Sequence, residues 1–320
     1  MKRVLIELPT WLGDAVMASP SIENLVKSYS NINIVFIGSI SSIEVYKNHP
    51  NRSFSLVIER NLFRLFKQVG ELGKFDIFIT FRNSFRSTFI KFLIDAENKY
   101  QYKKKNYSSI HQVEKYSEFI NRVTSKNFPP GRLIIHGQNK IKDNKKLTIG
   151  INPGASYGDA KRWETYKFAE VIEEISKIYN SEVLIFGGKN ELYISNEIEN
   201  LLKEKNISNF RNLIGQTSLG QLIQTIKNLD ILVTNDSGPM HIAAAFKIPT
   251  ISIFGPTDMN ATSQWKGNGI NISLDKPLAC QPCLQRTCPL GHRDCMKKIS
   301  SKRVIKALEM LIIRIKKANV

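Results

Sequence analysis

The stretch 147-LTIGINPGASYGDAKRW-163 decides the fold, because a short apolar run enters a glycine- and serine-containing loop and a helical pattern over 163–178 follows. Strand and helix patterns then continue to alternate. The chain opens in the same way, with a strand pattern at 4–7 and a helical pattern at 15–26. Alternating strands and helices form parallel sheets covered on both faces. The repeated start therefore predicts an α/β protein with two Rossmann-like domains facing across a cleft.

The apolar patterns in the rest of the sequence predict further strands and helices and a boundary between two domains. We expect strands at 33–38, 56–58, 75–80, 182–186, 230–235 and 250–254, and helices at 87–94, 110–123, 191–203, 239–246 and 302–317, with one more opened by Thr217 and Ser218. The run 128-FPPG-131 and the polar stretch 137–146 predict a linker. We therefore expect domains at 1–145 and 146–300, followed by a C-terminal amphipathic helix at 301–320.

The chain is strongly basic. Its 320 residues are more than one core usually organises, and they carry a formal net charge of +18 with a pI near 9.7. This charge favours an anionic partner: nucleic acid, a membrane surface or a phosphorylated substrate. No apolar stretch approaches the ~18–20 residues of a membrane-spanning helix, and the N-terminus lacks a signal-peptide cleavage pattern. We therefore expect a cytoplasmic protein.

The last predicted helix has two interpretations, because it alternates basic residues with an apolar stripe. A basic amphipathic helix can lie on an anionic membrane. Helical apolar stripes more often face a core. We therefore favour a helix that packs on the body of the protein and keeps its basic face in water.

The first loop, 10-TWLGD-14, lacks the GxGxxG fingerprint of dinucleotide-binding proteins, which weighs against an oxidoreductase. Gly13 permits a tight turn and places Asp14 at the start of a helix. There the carboxylate either caps the helix through backbone N–H groups or acts as a general base for an incoming hydroxyl. The residues alone leave both roles open.

The loop 152-NPGASYGDAKRW-163 has the features of an anion site. Its backbone donors, a hydroxyl, a helix N-terminus and Lys161 can surround a phosphate or diphosphate. Ordinary strand–loop–helix packing is the alternative explanation. No GK[ST] follows the loop, so an NTP-hydrolysing P-loop protein is not expected.

Two further strand ends carry acids. After 186-FGGKNE-191, Glu191 either holds ribose hydroxyls or caps the next helix. The stretch 234-TNDSGPMH-241 places Asp236 and backbone N–H groups at a helix N-terminus, while His241 fits a core position. Ligands of such sheets bind beyond the carboxyl ends of the strands, where these loops are expected to lie.

In order and spacing, these loops resemble the ADP-heptose:lipopolysaccharide heptosyltransferases, which form glycosyltransferase family 9 and have the GT-B fold. The similarity runs through 11-WLGDAVMASP-20, 153-PGASYGDAKRW-163, 212-NLIGQTSLGQLI-223, 235-NDSGPMHIAAA-245 and 254-FGPTD-258. The heptosyltransferase II subgroup is the most similar, because of Trp11, the segment 81-FRNSFRS-87 and the cysteine-containing tail 280–296. Each motif is weak alone, but their ordered series is specific.

The resemblance implies an inverting enzyme that moves L-glycero-D-manno-heptose from ADP-heptose onto the first heptose of a lipopolysaccharide or lipooligosaccharide inner core. The N-terminal domain is then expected to bind the acceptor, lipid A–Kdo–heptose at the inner leaflet, and the C-terminal domain to bind ADP-heptose. The family is not known to need a cofactor or a divalent metal. A transferase for the first or a later heptose, or for a related sugar nucleotide, is the alternative.

The resemblance also implies roles for particular residues. Asp14 matches the position of the general base. The donor-binding positions are matched by Ser156 and Lys161 for the diphosphate, Glu191 for the ribose, Asp236 for the heptose hydroxyls, and Ser237, Gly238 and His241 for the rest of that loop. A base on one side of the anomeric carbon and a cation on the other suit the charges that develop in glycosyl transfer.

A basic N-terminal face is expected to steer the enzyme to acceptors that carry carboxylates and phosphates, which implies peripheral membrane association. The steering residues are Arg60, Arg64, Arg82, Arg86 and Lys103 to Lys105, and the acceptor-binding candidates are Arg82, Asn83, Ser84 and Arg86. A nucleic-acid-binding protein is the rival explanation of the charge. We do not favour it, because it leaves Asp14, Glu191 and Asp236 without a role.

All four cysteines, Cys280, Cys283, Cys288 and Cys295, lie in one short segment. This clustering favours reduced thiols or a metal site over disulfides. The CxxC pair is a good half-site for tetrathiolate zinc or an iron–sulfur cluster. The six residues between the last two cysteines are looser than the usual structural zinc spacing. We therefore expect no metal and keep a four-cysteine site as the alternative.

Overall fold

The computed structural model describes residues 1–59, 61–104, 110–137, 146–179 and 181–318. The chain forms two compact units, Met1–Gln138 and Asn139–Val320. The predicted domain boundary between residues 145 and 146 lies at the edge of an undescribed stretch, so that boundary stays a prediction.

The first unit is built on a parallel sheet. Its described strands are β1 Lys2–Glu7, β2 Ile32–Gly38, β3 Arg52–Val57, β4 Phe75–Thr80 and β5 Ala96–Gln101, in the order β3-β2-β1-β4-β5. Its described helices are α1 Leu12–Met17, α2 Ser19–Lys27, α3 Ile40–Val45, α4 Leu62–Gly70, α5 Phe85–Leu93 and α6 Gln112–Thr124. The central strands are apolar runs that bury Leu5, Val35 and Phe78, as expected where helices cover both faces.

The first unit differs from the sequence predictions in several elements: helices α3 and α4 are absent from the predictions, and β3 begins four residues before the predicted strand 56–58. The predicted helix 15–26 is two helices, because Pro20 lies in the first turn of α2 and a proline cannot continue α1. Strand β5 is absent from the predictions, since its sequence AENKYQ is polar and half-buried or exposed at the edge of the sheet. Such a strand has no run or alternation of apolar residues from which it could be predicted.

The second unit repeats this plan. Its described strands are β6 Leu147–Asn152, β7 Ser181–Ile185, β8 Phe210–Asn212, β9 Ile231–Asn235, β10 Thr250–Ile253 and β11 Ile270–Ile272, all parallel to their neighbours in the order β11-β10-β9-β6-β7-β8. Its described helices are α7 Thr165–Ile178, α8 Leu192–Glu204, α9 Leu219–Asn228, α10 Gly238–Ala245, α11 Met259–Thr262, α12 Asp294–Lys297 and α13 Ser301–Ala318. Strands β8 and β11 are absent from the predictions, because each has only three residues, too few to show an apolar or alternating pattern.

The C-terminal helix α13 belongs to the core of the second unit. Val304, Leu308, Leu311 and Ile312 are at most 2% exposed and join the buried cluster that includes Phe168 of α7. The apolar stripe of α13 therefore packs on the body of its unit. Within the described residues, every helix is too short or too polar to cross a membrane.

Each sheet has one point where the order of strands reverses. In the first unit the chain moves outward from β1 to β3 and returns to β4 on the other side of β1. In the second unit it moves from β6 to β8 and returns to β9 on the other side of β6. Loops that leave two such strands diverge, and ligands of these sheets bind in the crevice between them. We call β1/β4 and β6/β9 the two switch points.

Close packing beside β6 gives a stability prediction. A Cβ added at Gly150 meets Leu229 Cδ1 at 2.4 Å and Phe186 Cε1 at 2.9 Å, and both side chains are fully buried. We expect Gly150→Ala to lower the free energy of unfolding by about 1–3 kcal/mol through overpacking. At Gly70 in α4, apart from its chain neighbours and the backbone of its own helix, no described atom lies within 4 Å of the added Cβ, so Gly70→Ala is expected to raise the free energy of unfolding by about 0.5–1 kcal/mol. Urea unfolding of both variants measures the difference, and equal midpoints would contradict this account of β6.

Candidate active site

A buried carboxylate lies at the switch point of the first unit. Glu7, at the end of β1, accepts hydrogen bonds from Thr80 Oγ1 at 2.6 Å and Arg82 Nη1 at 3.1 Å. A third comes from Ser87 Oγ at 3.0 Å. Burial raises the pKa of Glu7, and these three donors oppose the rise. Glu7 therefore ties the end of β4 and the start of α5 to β1.

Two of the acceptor-binding candidates have structural partners here. Arg82 forms the ion pair with Glu7, and 22% of its side chain remains exposed. Ser84 is the N-cap of α5, where its Oγ accepts a hydrogen bond from the backbone N–H of Ser87 at 3.2 Å. Both residues are thus held in place at the carboxyl edge of the sheet, and acceptor binding by them stays a prediction.

The other candidates of the basic N-terminal face differ in exposure. Arg86 is half-buried and donates to the backbone oxygen of Glu59, whereas Asn83 is exposed. A contact of either residue with an acceptor stays a prediction. Arg60 and Lys105 lie outside the described residues.

The predicted base, Asp14, lies in the first turn of α1, just after the loop that leaves β1. Asp14 is half-buried. Burial raises the pKa of Tyr116, and the negative charge of Asp14 raises it further. Tyr46 also contacts α1, because its Oη donates to the backbone oxygen of Ala15 at 2.7 Å. The carboxylate of Asp14 is therefore carried by a fixed helix beside the first switch point.

The second switch point is held together by one buried amide. Asn235, at the end of β9, is fully buried, and its Oδ1 accepts a hydrogen bond from the backbone N–H of Trp163 at 3.1 Å. Its Nδ2 donates to the backbone oxygens of Pro153 at 2.7 Å and Gly154 at 3.3 Å. One side chain thus fixes both ends of the loop that follows β6.

A charged cluster lies beside that amide. Lys161 Nζ is 2.6 Å from Asp236 Oδ2, and Thr257 Oγ1 donates to the same oxygen at 2.6 Å. The side chain of Asp236 is 4% exposed and that of Lys161 is 13% exposed. The ammonium also lies 4.9 Å from the ring centre of Tyr157. Loops after β6, β9 and β10 therefore meet around one largely buried cation.

Three further donor-binding candidates lie at the N-cap or in the first turns of α10. Ser237 is the N-cap of this helix, and its Oγ lies 3.2 Å from Thr234 Oγ1. Gly238 is the first residue of α10, and His241 is 3% exposed within it. Ser156 is exposed on the loop that follows β6. All four lie at the carboxyl edge of the second sheet, and their ligand contacts stay predictions.

Glu191 follows β7 and is 5% exposed. Its Oε2 accepts a hydrogen bond from the backbone N–H of Gly188 at 2.8 Å, while its buried Oε1 has no hydrogen-bond partner among the described residues. A Cβ at Gly154 would lie 2.2 Å from this carboxylate, so the loop after β6 can approach Glu191 only with glycine there. Buried polar atoms are almost always hydrogen-bonded, and Oε1 is therefore an acceptor suited to a ligand hydroxyl.

One group in the first unit has the residue types of a metal site. Nitrogen atoms of His49 and His136 lie 3.3 Å and 2.7 Å from the same oxygen of Glu23. The backbone N–H of Asn51 donates to His49 Nδ1 at 3.2 Å, so neutral His49 carries its proton on Nε2, towards Glu23. Burial opposes ionisation of Glu23, but both histidines hold its pKa below the ordinary value. His136 Nε2 thus hydrogen-bonds to Glu23, whereas His49 Nε2 is buried close to the same oxygen and makes no hydrogen bond among the described residues.

Comparison with known proteins identifies the family. The family model of glycosyltransferase family 9 (heptosyltransferase) matches residues 62–293. Lipooligosaccharide heptosyltransferase 2 of Campylobacter jejuni serotype O:6 is 40% identical over 321 residues, which cover 97% of this chain and 99% of the relative. The chain belongs to glycosyltransferase family 9.

Solved structures show the fold of this family 9 enzyme. The structure of E. coli ADP-heptose LPS heptosyltransferase II matches with a TM-score of 0.83 and 22% identity, covering 99% of this chain and 100% of the other. E. coli heptosyltransferase WaaC with ADP matches with a TM-score of 0.74 and 15% identity, covering 97% and 99%. The predictions of a GT-B fold and of a glycosyltransferase of the heptosyltransferase II kind are confirmed.

Sequence reasoning missed three residues of these clusters. It gave no role to Glu7 or Asn235, although each is a polar residue that ends a central strand directly after buried residues. It quoted Thr257 only as part of a motif. A polar side chain at the end of a central strand is the signal that finds the first two, because such a position is buried and needs hydrogen-bond partners.

The hydrogen bonds of Asn235 give a second prediction. Asn235→Asp keeps the size but replaces a donor to two buried carbonyl oxygens by a charge, and we expect it to cost about 3 kcal/mol of folding free energy or more. Asn200→Asp makes the same change at an exposed position of α8 and is expected to stay within about 0.5 kcal/mol. Thermal unfolding compares the variants, and a wild-type melting temperature for Asn235→Asp would show that this amide does not hold the loop.

Proposed function

We propose that this family 9 enzyme transfers L-glycero-D-manno-heptose from ADP-heptose onto the first heptose of a lipopolysaccharide or lipooligosaccharide inner core, with inversion at the anomeric carbon. The names of the relatives, heptosyltransferase 2 and ADP-heptose LPS heptosyltransferase II, support this donor and acceptor. The observation that carries the proposal is the cluster at the second switch point, where Lys161 pairs with the buried carboxylate of Asp236 and the buried Glu191 lies against Gly154 of the same loop as Lys161.

The donor is expected to lie along these loops. Lys161, the hydroxyl of Ser156 and nearby backbone N–H groups suit a diphosphate, because a cation in a water-poor pocket attracts phosphate strongly. Glu191 Oε1 suits a ribose hydroxyl. Asp236 suits the heptose hydroxyls, since Lys161 and Thr257 occupy only one of its two carboxylate oxygens in the hydrogen bonds described. Ser237, Gly238 and His241 complete the sugar end of the site.

The chemistry follows from the charges of the reaction. Attack on the anomeric carbon builds positive charge on the sugar ring and negative charge on the leaving ADP, which Lys161 and backbone donors stabilise. The acceptor hydroxyl must lose its proton as the new bond forms. Asp14 is the carboxylate placed to accept it, because α1 fixes it at the first switch point and leaves it half-buried.

The lipid-linked acceptor requires an enzyme that reaches a membrane surface. Helices α4 and α5 pack side by side and expose an aromatic patch, whose members and exposures are Phe63 80%, Phe66 60%, Phe85 90%, Phe89 36% and Phe92 81%. Arg64, Lys67 and Lys91 lie on the same helices. Phenylalanines among basic residues suit the interface of an anionic membrane. We infer that this aromatic patch docks the enzyme on the inner face of the inner membrane.

Heptose transfer tests the proposed function and the base together. Wild-type enzyme, ADP-L-glycero-β-D-manno-heptose and lipid A–Kdo₂ bearing zero or one heptose are analysed by mass spectrometry. We expect one heptose to be added only to the mono-heptosylated acceptor. Asp14→Asn is expected to lower kcat by about 10²–10⁴-fold, the usual contribution of a general base.

Asp95→Asn is the matched control for Asp14→Asn, because it makes the same change at an exposed position of the first unit and is expected to keep full activity. Transfer to the heptose-free acceptor would instead identify an enzyme for the first heptose. Equal loss of activity in both variants would remove Asp14 from the role of base.

Vesicle binding tests the aromatic patch. We expect Phe63→Ser combined with Phe92→Ser to weaken binding to phosphatidylglycerol-containing vesicles by at least about tenfold, because each lost phenylalanine removes apolar area buried in the interface. Ile178→Ser combined with Ile313→Ser is the control, since both side chains are 51% exposed in the second unit. Cosedimentation at several salt concentrations measures binding. Equal binding by both double variants would place the membrane contact elsewhere.

A further inference from the structure

The segment between β11 and α12, residues 273–293, is held in place without a core of its own. It is fully described and contains neither helix nor strand, and every side chain in it is half-buried or exposed. Loops longer than about 12–15 residues without regular structure are uncommon in compact domains unless they serve a function. Hydrophobic burial alone therefore does not explain why this segment is ordered.

The cysteines of this segment meet in one place. Cys280, Cys283 and Cys288 line a single pocket together with Cys295 at the start of α12, and Ala160 of the loop after β6 closes its edge. All four are free thiols. Four thiols that the fold gathers around one pocket are the donor set of a tetrahedral metal site.

The backbone around Cys288 supports the same interpretation. The backbone N–H of Gly291 donates to the backbone oxygen of Cys288 at 3.1 Å, so a tight turn follows this cysteine. Gly291 adopts the left-handed conformation, with φ at 71°, which allows the chain to fold back around the sulfur. The chain thus turns back directly after Cys288, which lets Cys288 and Cys295 line the same pocket.

We propose that Cys280, Cys283, Cys288 and Cys295 bind one four-coordinate metal ion of the zinc and iron(II) class. The CxxC pair supplies two adjacent sulfurs, and Cys288 and Cys295 supply the other two from separate turns. Each thiol loses its proton to solvent as the metal binds. Such a site supplies the folding free energy that the segment cannot obtain from burial.

The metal site would brace the loops that carry the donor-binding residues. Ala160 N–H donates to the backbone oxygen of Arg286 at 3.0 Å, and Tyr157 Oη donates to that of Leu284 at 2.9 Å. A Cβ at Gly158 would lie 2.2 Å from the same Arg286 oxygen, so the two backbones are in close contact. This consequence for the position of Lys161 rests on the proposed function, whereas metal binding itself does not.

Metal analysis of the full chain purified without chelators tests the proposal. We expect about one zinc or iron per chain, as in structural four-cysteine sites, and thiols that react with Ellman's reagent only after chelation or denaturation. Cys288→Ser is expected to lose at least about fivefold of the metal, whereas Thr287→Ser, at the neighbouring exposed position, keeps it. Metal well below one per chain with four reactive thiols in the wild type would overturn the proposal, as would Cys288→Ser with undiminished metal.

A second measurement guards against a cysteine variant that fails to fold. Chelation of the wild type is expected to lower its melting temperature by several degrees, because the metal stabilises only the folded segment. An unchanged melting temperature in protein shown to have lost its metal would overturn the bracing role. These readouts need no sugar nucleotide. Metal-loaded protein without heptose transfer would therefore refute the proposed function alone, and active protein without metal would refute this inference alone.

Discussion

Asn235 is the side chain on which the second unit's site depends. A parallel sheet brings its motif loops to one edge, but it does not fix them there, because each loop leaves its strand with unpaired backbone groups. The Asn235 amide satisfies three of these groups at once, on Trp163, Pro153 and Gly154. Aspartate lacks the donor that two of the bonds need, and leucine lacks every polar atom.

In both units a buried polar side chain at the switch point holds the loops, but the chemistry of that side chain differs. At β1/β4 the buried side chain is a carboxylate, Glu7, and it orients Arg82 at the sheet edge. At β6/β9 it is a neutral amide, and the charges lie one residue further along, in Asp236 and Lys161. A neutral amide costs less free energy to bury than an ionised side chain. Among the described residues the Lys161 ammonium is ion-paired with Asp236, so an incoming diphosphate shares this cation with one carboxylate.

Much of the fold was predictable from the sequence, and the candidate site only partly so. Apolar runs identified the central strands, and glycine-containing loops marked the strand ends that carry Asp14, Lys161 and Asp236. The pairing of Arg82 with Glu7 was not predictable, because it joins residues far apart in the chain whose contact depends on strand order. The edge strands β5, β8 and β11 escaped for a different reason, since they are polar or very short. The role of the cysteine segment was also not predictable from the sequence, because it depends on which loops the segment contacts.

Calorimetric titration of ADP into wild-type enzyme, Lys161→Met, Glu191→Gln and the exposed control Glu197→Gln tests the central claim most directly, because it isolates donor binding from catalysis. If Lys161 holds the diphosphate and Glu191 the ribose, each of the first two variants binds ADP about 10–100-fold more weakly, the cost of a lost charge-assisted hydrogen bond. Glu197→Gln is expected to match the wild type. Wild-type affinity in both Lys161→Met and Glu191→Gln would contradict the account and place the nucleotide elsewhere.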